Sequence, residues 1–480
     1  MARVRALLLS TYELGHQPLH VASPAGSLLR AGHQVRCRDL AVDPLDEEEL
    51  RWADLVAVSV PMHTAMRLAR RVGLEVRAAS PHAVLCFYGL YAGADDGAPT
   101  RDRPDVSISG EYEAELVALA DDVDGGRRPG DDGRVRLRLG RQRFGLPARH
   151  LLPPLERYAR LVTNGHRRLA GYVEAGHGCV HRCRHCPVPV VYDGRTRIVE
   201  VEAVLADVAQ LVAMGAEHVT FGDPDFLSGP AHARRVVAAV HGAFPTLTFD
   251  VTTKVSHVLA QRELWPSFAS AGCLFVVSAF ESASDTVLRH LDKGHTVADE
   301  LEAVAILRRS GIEPRPSLLP FTPWSTAEDV KALVRLVERA DLVGNVDPVH
   351  YSIRLLVPPG SLLLDSGALD GLLDDYDPGH LGWTWHSSDR RLDELQAALA
   401  LLAEDAGRDD APAHQVHEAM RGAVEGVLGP VGDTSPDPAL RSAIDADHRP
   451  RLSEAWFCCA EPTDAQLVTT VPSAVATGGR

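Results

Sequence analysis

Lysine is scarce in this sequence. It occurs only at positions 254, 293 and 331 of the 480 residues, whereas arginine is abundant, so a single arginine is weak evidence for a functional site. Acidic residues outnumber basic ones by 65 to 49, and the formal net charge is -16. This charge disfavours a nucleic-acid phosphate backbone as a general partner. A small-molecule substrate is the expected partner.

Long apolar runs are also missing, and cysteine is sparse outside two clusters. No apolar stretch approaches the roughly 18 residues that indicate a membrane-spanning helix, so no membrane association is expected. The start, MARVRALLLSTYELG, has no small-residue cleavage site, and a cytoplasmic protein is expected. Five of the eight cysteines lie in two clusters, at 179, 183 and 186 and at 458 and 459, which disfavours a disulfide framework. Clustering favours metal or redox chemistry in a reducing compartment.

The order of apolar runs and helical patterns predicts an α/β protein. Residues 1–125 are expected to form a doubly wound, Rossmann-like domain, and 126–170 a linker. The Gly-rich stretch 121–154, which spans the boundary between the two, is expected to carry one small hairpin. Residues 171–370 contain six strand candidates with intervening helices, the last being DPVHYSIRLLV, and this pattern predicts a partial β/α barrel of the TIM type. Residues 371–480 are expected to be a helical C-terminal region.

Three cysteines stand close together in the stretch CVHRCRHC, at Cys179, Cys183 and Cys186. This segment is expected to form the loop after the first barrel strand, at the end of a barrel where active sites lie. A zinc knuckle that adds His181 and His185 is one interpretation, but four-ligand zinc sites usually have other spacings. Thiolates are the usual ligands of iron–sulfur clusters, and three of them leave one iron open to a substrate or cofactor. The segment therefore predicts a 4Fe-4S site.

The same segment resembles the C-x3-C-x2-C signature of the radical S-adenosylmethionine (SAM) superfamily. The resemblance implies that Cys179, Cys183 and Cys186 hold a 4Fe-4S cluster whose open iron binds the amino and carboxylate groups of SAM. It implies further that one electron cleaves SAM to a 5'-deoxyadenosyl radical, and that a reductant protein such as flavodoxin or ferredoxin supplies it. The residue before the third cysteine is usually aromatic in the family; here it is His185, whose planar imidazole can still stack near the adenine.

Five further residues stand where the family binds SAM. FGDPDF makes Asp223 and Asp225 candidate acceptors for the methionyl amine, and SAFESASDTVLRHLDKGHT makes Glu281 the expected SAM contact. Lys254 in FDVTTK and Arg354 in IRLLVPPGS are candidates for a carboxylate or ribose contact. The two aspartates have an alternative as a turn with a helix cap, and the two basic residues as surface ion pairs.

Residues 1–120 resemble the cobalamin-binding domain that precedes many radical SAM enzymes. The matching pieces include ADLVAVSVPMHTA, AVLCFYGLYAG and ISGEYEAEL. The Asp-x-His-x-x-Gly motif that binds cobalt from below in methionine-synthase-like proteins is absent, as in many radical enzymes. Cobalamin would make methyl transfer to an unactivated carbon or phosphorus the leading reaction. A domain that keeps the fold and has lost the cofactor is the alternative.

The stretch WFCCAEP places Cys458 and Cys459 side by side near the C-terminus. It resembles the tail of radical proteins that end in CUAEP or CCAEP, in which U is selenocysteine. Selenium in place of sulfur implies a chemically active chalcogen, so both cysteines are candidate catalytic residues. The roles under consideration are hydrogen-atom donation, redox relay, and binding of a soft element such as arsenic or selenium.

These resemblances together predict a radical SAM enzyme that modifies a small substrate by radical alkyl transfer or a related reaction. The alternative from another class is a non-catalytic iron–sulfur or cobalamin-dependent sensor. Glu281, Lys293 and the ordered barrel segments favour the enzyme.

Overall fold

The computed structural model describes residues 4–94, 102–128, 135–140, 143–409 and 411–454. The N-terminal part contains a six-stranded sheet, and every pairing in it is parallel. Its strands are β1 Arg5–Ser10, β2 Gln34–Asp39, β3 Leu55–Ser59, β4 Val84–Tyr88, β5 Val106–Gly110 and β6 Val135–Arg138. The spatial order is β2-β1-β3-β4-β5-β6.

Helices cover both faces of this first sheet. They are α1 Leu19–Arg30, α2 Glu47–Trp52, α3 His63–Ala79 and α4 Glu113–Asp124. Alternation along β1 explains the two layers: Ala6 and Leu8 pack with α1 and α4, whereas Leu7 and Leu9 pack with α2 and α3. The predicted doubly wound domain is confirmed.

A second sheet of seven strands forms the partial barrel. Its strands are β7 Arg160–Thr163, β8 His166–Val173, β11 His218–Phe221, β12 Thr248–Thr252, β13 Cys273–Glu281, β14 Glu313–Leu318 and β17 Arg451–Leu452, and a separate small ribbon is formed by β9 Gly176–Gly178 and β10 Thr196–Ile198. The order is β14-β13-β12-β11-β8-β7-β17. The run from β8 to β14 is parallel, and β7 and β17 are antiparallel additions at one edge.

The barrel helices are α5 Val188–Tyr192, α6 Val201–Ala213, α7 Pro230–Ala243, α8 Val255–Ala260, α9 Trp265–Ser270, α10 Asp285–His290, α11 Val297–Arg309 and α12 Ala327–Arg339. α11 begins with a capping box between Thr296 and Asp299, and α12 begins in the same way at Thr326 and Asp329. After a short ribbon of β15 Tyr376–Asp377 and β16 Gly382–Trp383, the chain forms α13 Arg390–Asp409 and α14 Ala413–Leu428.

Two local predictions are wrong. The Gly-rich stretch forms no hairpin among its described residues; β6 instead pairs in parallel with β5 and extends the first sheet. The hairpin lies later, between β7 and β8. The last strand candidate, DPVHYSIRLLV, begins as a 3-10 turn at Pro348–Tyr351 and contributes one isolated bridge, between Phe321 and Arg354. Pro348 has no N–H to donate to a ladder, which opposes a strand there.

The carboxyl ends of the two sheets face each other. His20 of α1 contacts both Glu13, which follows β1, and Glu174 after β8, and Glu111 after β5 contacts His177 of β9. Ligands of open α/β sheets bind at carboxyl ends of strands, so this junction is where a site is expected. No helix in the described part of the chain is long and apolar enough to cross a membrane.

Candidate active site at the cysteine loop

The three clustered cysteines lie on one loop between β9 and α5. Cys179 directly follows β9, and Cys186 comes just before the proline that precedes α5. Cys179 and Cys183 are buried and Cys186 is half-buried, and none of the three forms a disulfide. The backbone N–H of Cys186 donates to the carbonyl of Cys183 at 3.2 Å, which folds the loop back on itself.

This loop is chemically suited to a metal cluster. Burial raises the pKa of the Cys179 thiol to about 11 and that of Cys186 to about 12. Bound iron would favour the thiolate form that burial disfavours. Nζ of Lys254 donates to Sγ of Cys183 at 3.4 Å, so a cation already faces one of the sulfurs. Three thiols fit a cluster with one open iron.

Glu281 lies at the carboxyl end of β13 and is held by two cationic or polar partners. Nζ of Lys293 donates to its Oε1 at 2.9 Å, and Nε2 of His185 lies 3.2 Å from the same oxygen. Burial opposes the charged carboxylate, but Lys293 and His185 outweigh it and lower the pKa of Glu281. The structure therefore places Glu281 beside His185, and His185 directly precedes the predicted cluster ligand Cys186.

Nδ1 of His185 is buried and has no hydrogen-bond partner within the described ranges. A buried polar atom without a partner costs about 1–3 kcal/mol, so such atoms are candidates for contacts with a ligand. This atom belongs to the cysteine loop. A polar group of SAM bound at the loop would be a fitting partner for it.

Asp223 and Asp225 follow β11 but face different neighbours. Oδ2 of Asp223 accepts from the backbone N–H of Ala175 at 2.9 Å, and burial raises the pKa of Asp223 to about 8. Asp225 accepts from the Thr253 hydroxyl at 2.6 Å and lies 4.0 Å from Sγ of Cys179. Asp225 therefore borders the cysteine loop, whereas Asp223 contacts the segment just before β9. Contact of either aspartate with SAM stays a prediction.

Arg354 is the predicted residue whose partners lie away from the cysteines. Its guanidinium pairs with Asp393 of α13 at 2.8 Å, donates to the carbonyl of Trp385 and lies over the ring of that tryptophan. These contacts connect the barrel to the C-terminal helices. Cys458 and Cys459 lie outside the described residues.

A cavity of about 300 Å³ opens beside the cysteine loop. His185 and Cys186 form part of its wall, and Leu90, Tyr91 and Ser109 line it from the first domain. The wall is completed by Pro358–Ser361 of the stretch VPPGS. Its volume is that of a small-molecule site.

Sequence reasoning missed a buried chain of acidic and histidine side chains between the domains. His20 lies 2.8 Å from Glu13 and 3.0 Å from Glu174, and His177 lies 3.2 Å from Glu174 and 3.0 Å from Glu111. Each of the three acids directly follows a strand or lies in the loop after one. This position at strand ends was the signal in the sequence that could have identified them as site residues. Which acids would meet which histidines depends on how the domains dock.

A family model identifies the barrel. Residues 173–337 match the model of the Radical SAM superfamily. These residues form a radical SAM domain. The family implies a 4Fe-4S cluster and SAM, which agrees with the three thiols of the loop.

Curated relatives match part of the chain at low identity. An uncharacterized methyltransferase of Pyrococcus horikoshii is 23% identical over 204 residues, which cover 42% of this chain and 43% of the relative. A tRNA-2-methylthio-N(6)-dimethylallyladenosine synthase of Chlorobium chlorochromatii is 26% identical over 216 residues, covering 41% and 45%. The chain thus aligns with less than half the length of these relatives.

Solved structures resemble nearly the whole chain. The cobalamin-dependent SAM radical enzyme OxsB with bound aqua-cobalamin matches with a TM-score of 0.67 and 12% identity, over 89% of this chain and 72% of OxsB. The radical SAM methyltransferase TsrM from Kitasatospora setae matches with a TM-score of 0.58 and 20% identity, over 83% and 88%. At these identities the likeness shows the fold: a Rossmann-like domain joined to a partial β/α barrel.

Proposed function

We propose that this radical SAM enzyme transfers an alkyl group to a small substrate, or carries out a related radical modification, in the cavity between its two domains. The observation that carries the proposal is the cavity wall, because Cys186 and His185 of the cysteine loop share it with strand-end residues of the first domain. A substrate there would lie directly beside the cluster ligands. The names of the curated relatives, a methyltransferase and a methylthio-forming synthase, support group transfer.

Several polar residues of the site have a role in this proposal. When bound, the cluster and SAM supply a 5'-deoxyadenosyl radical by one-electron cleavage of the sulfonium. Cys179, Cys183 and Cys186 hold the iron, while Lys254 compensates the negative charge of the sulfurs. Glu281 is the proposed acceptor for a donor group of SAM.

The surroundings of the cavity protect the chemistry. Lys293 holds Glu281 ionised and fixed in place, and Nδ1 of His185 is free to contact SAM. The apolar residues Leu90, Val190 and Val191 line the cavity and would exclude water from a reactive intermediate. A mainly apolar substrate with few polar groups suits this lining.

Cobalamin is proposed as a further cofactor of the first domain. Its proposed position is the carboxyl edge of the first sheet, which faces the cysteine loop across the cavity. The residues of the first domain that line the cavity include no histidine, which suits binding without a histidine ligand below the cobalt. Stoichiometric uptake of hydroxocobalamin in the base-off form supports the proposal, and a folded protein without uptake opposes it.

The central test uses anaerobically reconstituted full-length protein and a chemical reductant, with flavodoxin or ferredoxin as proposed natural donors. We expect one 4Fe-4S cluster and conversion of SAM to 5'-deoxyadenosine. Replacement of Cys179, Cys183 or Cys186 by Ala should abolish both, whereas Cys273→Ala, a buried cysteine at the start of β13, should keep both. A cluster without any 5'-deoxyadenosine would indicate the sensor alternative.

We also propose that the adjacent thiols of Cys458 and Cys459 act in the reaction as hydrogen donor, redox relay or ligand of a soft element. Replacing both by Ser should leave iron content and 5'-deoxyadenosine unchanged. Product should fall by orders of magnitude, because a serine O–H bond is stronger than a thiol S–H bond and oxygen binds soft ions poorly. Normal product yield from the double variant would contradict this role.

A further inference from the structure

Three side chains from three different segments converge beside the cysteine loop. His181 comes from the loop itself, Asp225 from the segment after β11, and His257 from α8. One potential ligand atom from each lies within 4.8 Å of the other two. The carboxylate of Asp225 is buried, whereas the two imidazoles are each partly accessible to solvent. An ion could therefore reach the group from outside.

Two of the separations between the candidate ligand atoms fit the edges of a coordination polyhedron. Nε2 of His181 lies 3.3 Å from Nε2 of His257 and 3.5 Å from Oδ2 of Asp225. With metal–nitrogen bonds of 2.0–2.1 Å, the edge of a tetrahedron is about 3.3–3.4 Å. Two imidazole nitrogens and a carboxylate oxygen at this spacing can bind one ion with only small movements.

The hydrogen bonding of these residues leaves room for a ligand role. Nδ1 of His257 makes no well-aligned hydrogen bond with any described residue, although Oδ2 of Asp225 lies 2.8 Å from it. The other oxygen of Asp225 accepts from the Thr253 hydroxyl at 2.6 Å, which fixes the carboxylate in the way that outer partners orient metal ligands.

The local charge balance is mixed. Lys254 lies nearby and repels a cation, but its Nζ is directed to Sγ of Cys183 at 3.4 Å. The carboxylate of Asp225 and the sulfur of Cys179, 4.0 Å from it, favour a cation. The donor set itself contains no thiol, so it is distinct from the three-cysteine site.

We propose that His181, Asp225 and His257 bind one divalent first-row transition ion, Zn²⁺ or Fe²⁺, next to the cysteine loop. Two imidazoles and one carboxylate are a donor set that both ions accept, and they leave at least one position open for water or another small ligand. Such an ion would tie the cysteine loop to the carboxyl ends of β11 and β12. The proposal concerns a separate site and does not depend on the substrate or on cleavage of SAM.

The first test is metal analysis of the anaerobically purified full-length protein. We expect about one zinc or iron in excess of the iron that matches acid-labile sulfide. His257→Ala should lose this ion and keep the cluster iron. The matched control is His150→Ala, an exposed histidine remote in sequence, which should keep both. Absence of the extra ion from the wild type, or its retention in His257→Ala, would overturn the proposal.

The second test removes the competing thiols. A full-length variant with Cys179, Cys183 and Cys186 all changed to Ala, checked for folding by circular dichroism, is titrated with Co²⁺. We expect stoichiometric binding with visible d–d bands and without sulfur charge-transfer bands. Adding His257→Ala should remove the bands. Bands that persist would refute the site; if the triple variant does not fold, the metal analysis decides. Cleavage of SAM is measured separately, so its loss alone does not bear on this site.

Discussion

Glu281 adopts a backbone conformation that is rare for a residue with a side chain. Its φ is +71°, in the left-handed region, and the register of β13 against β14 shifts beside it. Such strain costs about 1–3 kcal/mol and persists where the surrounding structure enforces it, often at functional sites. Here the Lys293 ion pair holds the carboxylate, which supports a binding role for this residue.

The ion pair between Lys293 and Glu281 yields the first prediction. Lys293 and Glu281 are both buried, so Lys293→Met leaves a buried carboxylate with His185 alone as its close partner. Removing one member of a buried pair costs about 3–5 kcal/mol. We expect a loss of this size in urea unfolding, together with weaker SAM binding measured by calorimetry.

The control for this prediction is Lys331→Met. Lys331 pairs with Glu328, which is largely exposed, one turn away on α12. Exposed pairs contribute about 0–1 kcal/mol, so this variant should unfold close to the wild type. Equal effects of the two replacements would mean that the Lys293 pair has no special stabilising role.

The individual site residues differ in how far sequence could predict them. The spacing of Cys179, Cys183 and Cys186 and the position of Glu281 are local signals, and the structure brings these residues to one place. Arg354 shows the limit. Its neighbours Asp393 and Trp385 lie 39 and 31 positions later, and nothing in the local sequence indicates that α13 would pack there.

At the scale of single elements, the ribbon of β9 and β10 determines where the cysteine loop starts. Gly178 pairs with Thr196 and has a φ of +74°, directly before Cys179. A Cβ at this glycine would lie 2.3 Å from the carbonyl oxygen of Arg195. Only glycine fits both the conformation and the space.

Gly178→Ala is the second prediction. The clash is with backbone, so the ribbon must open and displace Cys179. We expect the cluster iron after reconstitution to fall to a small fraction of the wild-type value, measured by iron and sulfide analysis. Gly165→Ala is the matched control, because its φ is +75° and a Cβ there meets nothing within 4 Å. That control should cost only about 1–2 kcal/mol of conformational strain and keep the cluster. Full cluster content in Gly178→Ala would contradict the proposed effect of the ribbon.

Strand prediction succeeded where apolar runs were bounded by glycine and polar residues. The five parallel strands from β8 to β14 and the first five of the N-terminal sheet were predicted in this way. β6, β7 and β17 were not, because short polar strands at sheet edges have no continuous apolar pattern. β17 is formed by Arg451–Leu452 and pairs with β7, nearly 300 residues earlier, and such pairing leaves no local signal.

At the scale of the whole molecule, the two domains are joined by the buried chain of Glu13, His20, Glu174, His177 and Glu111. His20 and Glu174 are separated by 154 positions, so the contact is a product of docking. Tyr172 also donates to Glu174 at 2.9 Å, and Tyr192 donates to Glu111 at 3.1 Å. Glu174 and Glu111 therefore each have more than one partner, as buried charges require.

The connection through His20 has a definite pH dependence. Burial alone would lower the pKa of His20, but the carboxylates of Glu13 and Glu174 outweigh burial and raise it well above its ordinary value. A raised pKa in the folded state means that the protonated imidazole stabilises the fold. This stabilisation is complete below the ordinary histidine pKa of about 6.5 and is lost as the pH rises through the higher pKa of the folded protein.

The third prediction follows from this dependence. His20→Gln replaces the imidazolium by a neutral side chain and leaves Glu13 and Glu174 without their shared cation. The variant should unfold at a lower temperature than the wild type near pH 6.5, and the difference should shrink as the pH rises, because the wild type then loses its own proton. Calorimetric melting curves from pH 6 to pH 9 measure both.

His177 has a raised pKa as well, but it is present in both proteins, so its contribution largely cancels in the difference. His150→Gln, at an exposed position, should follow the wild type throughout. Parallel curves for the wild type and His20→Gln would show that His20 does not carry the proton-linked contact between the domains.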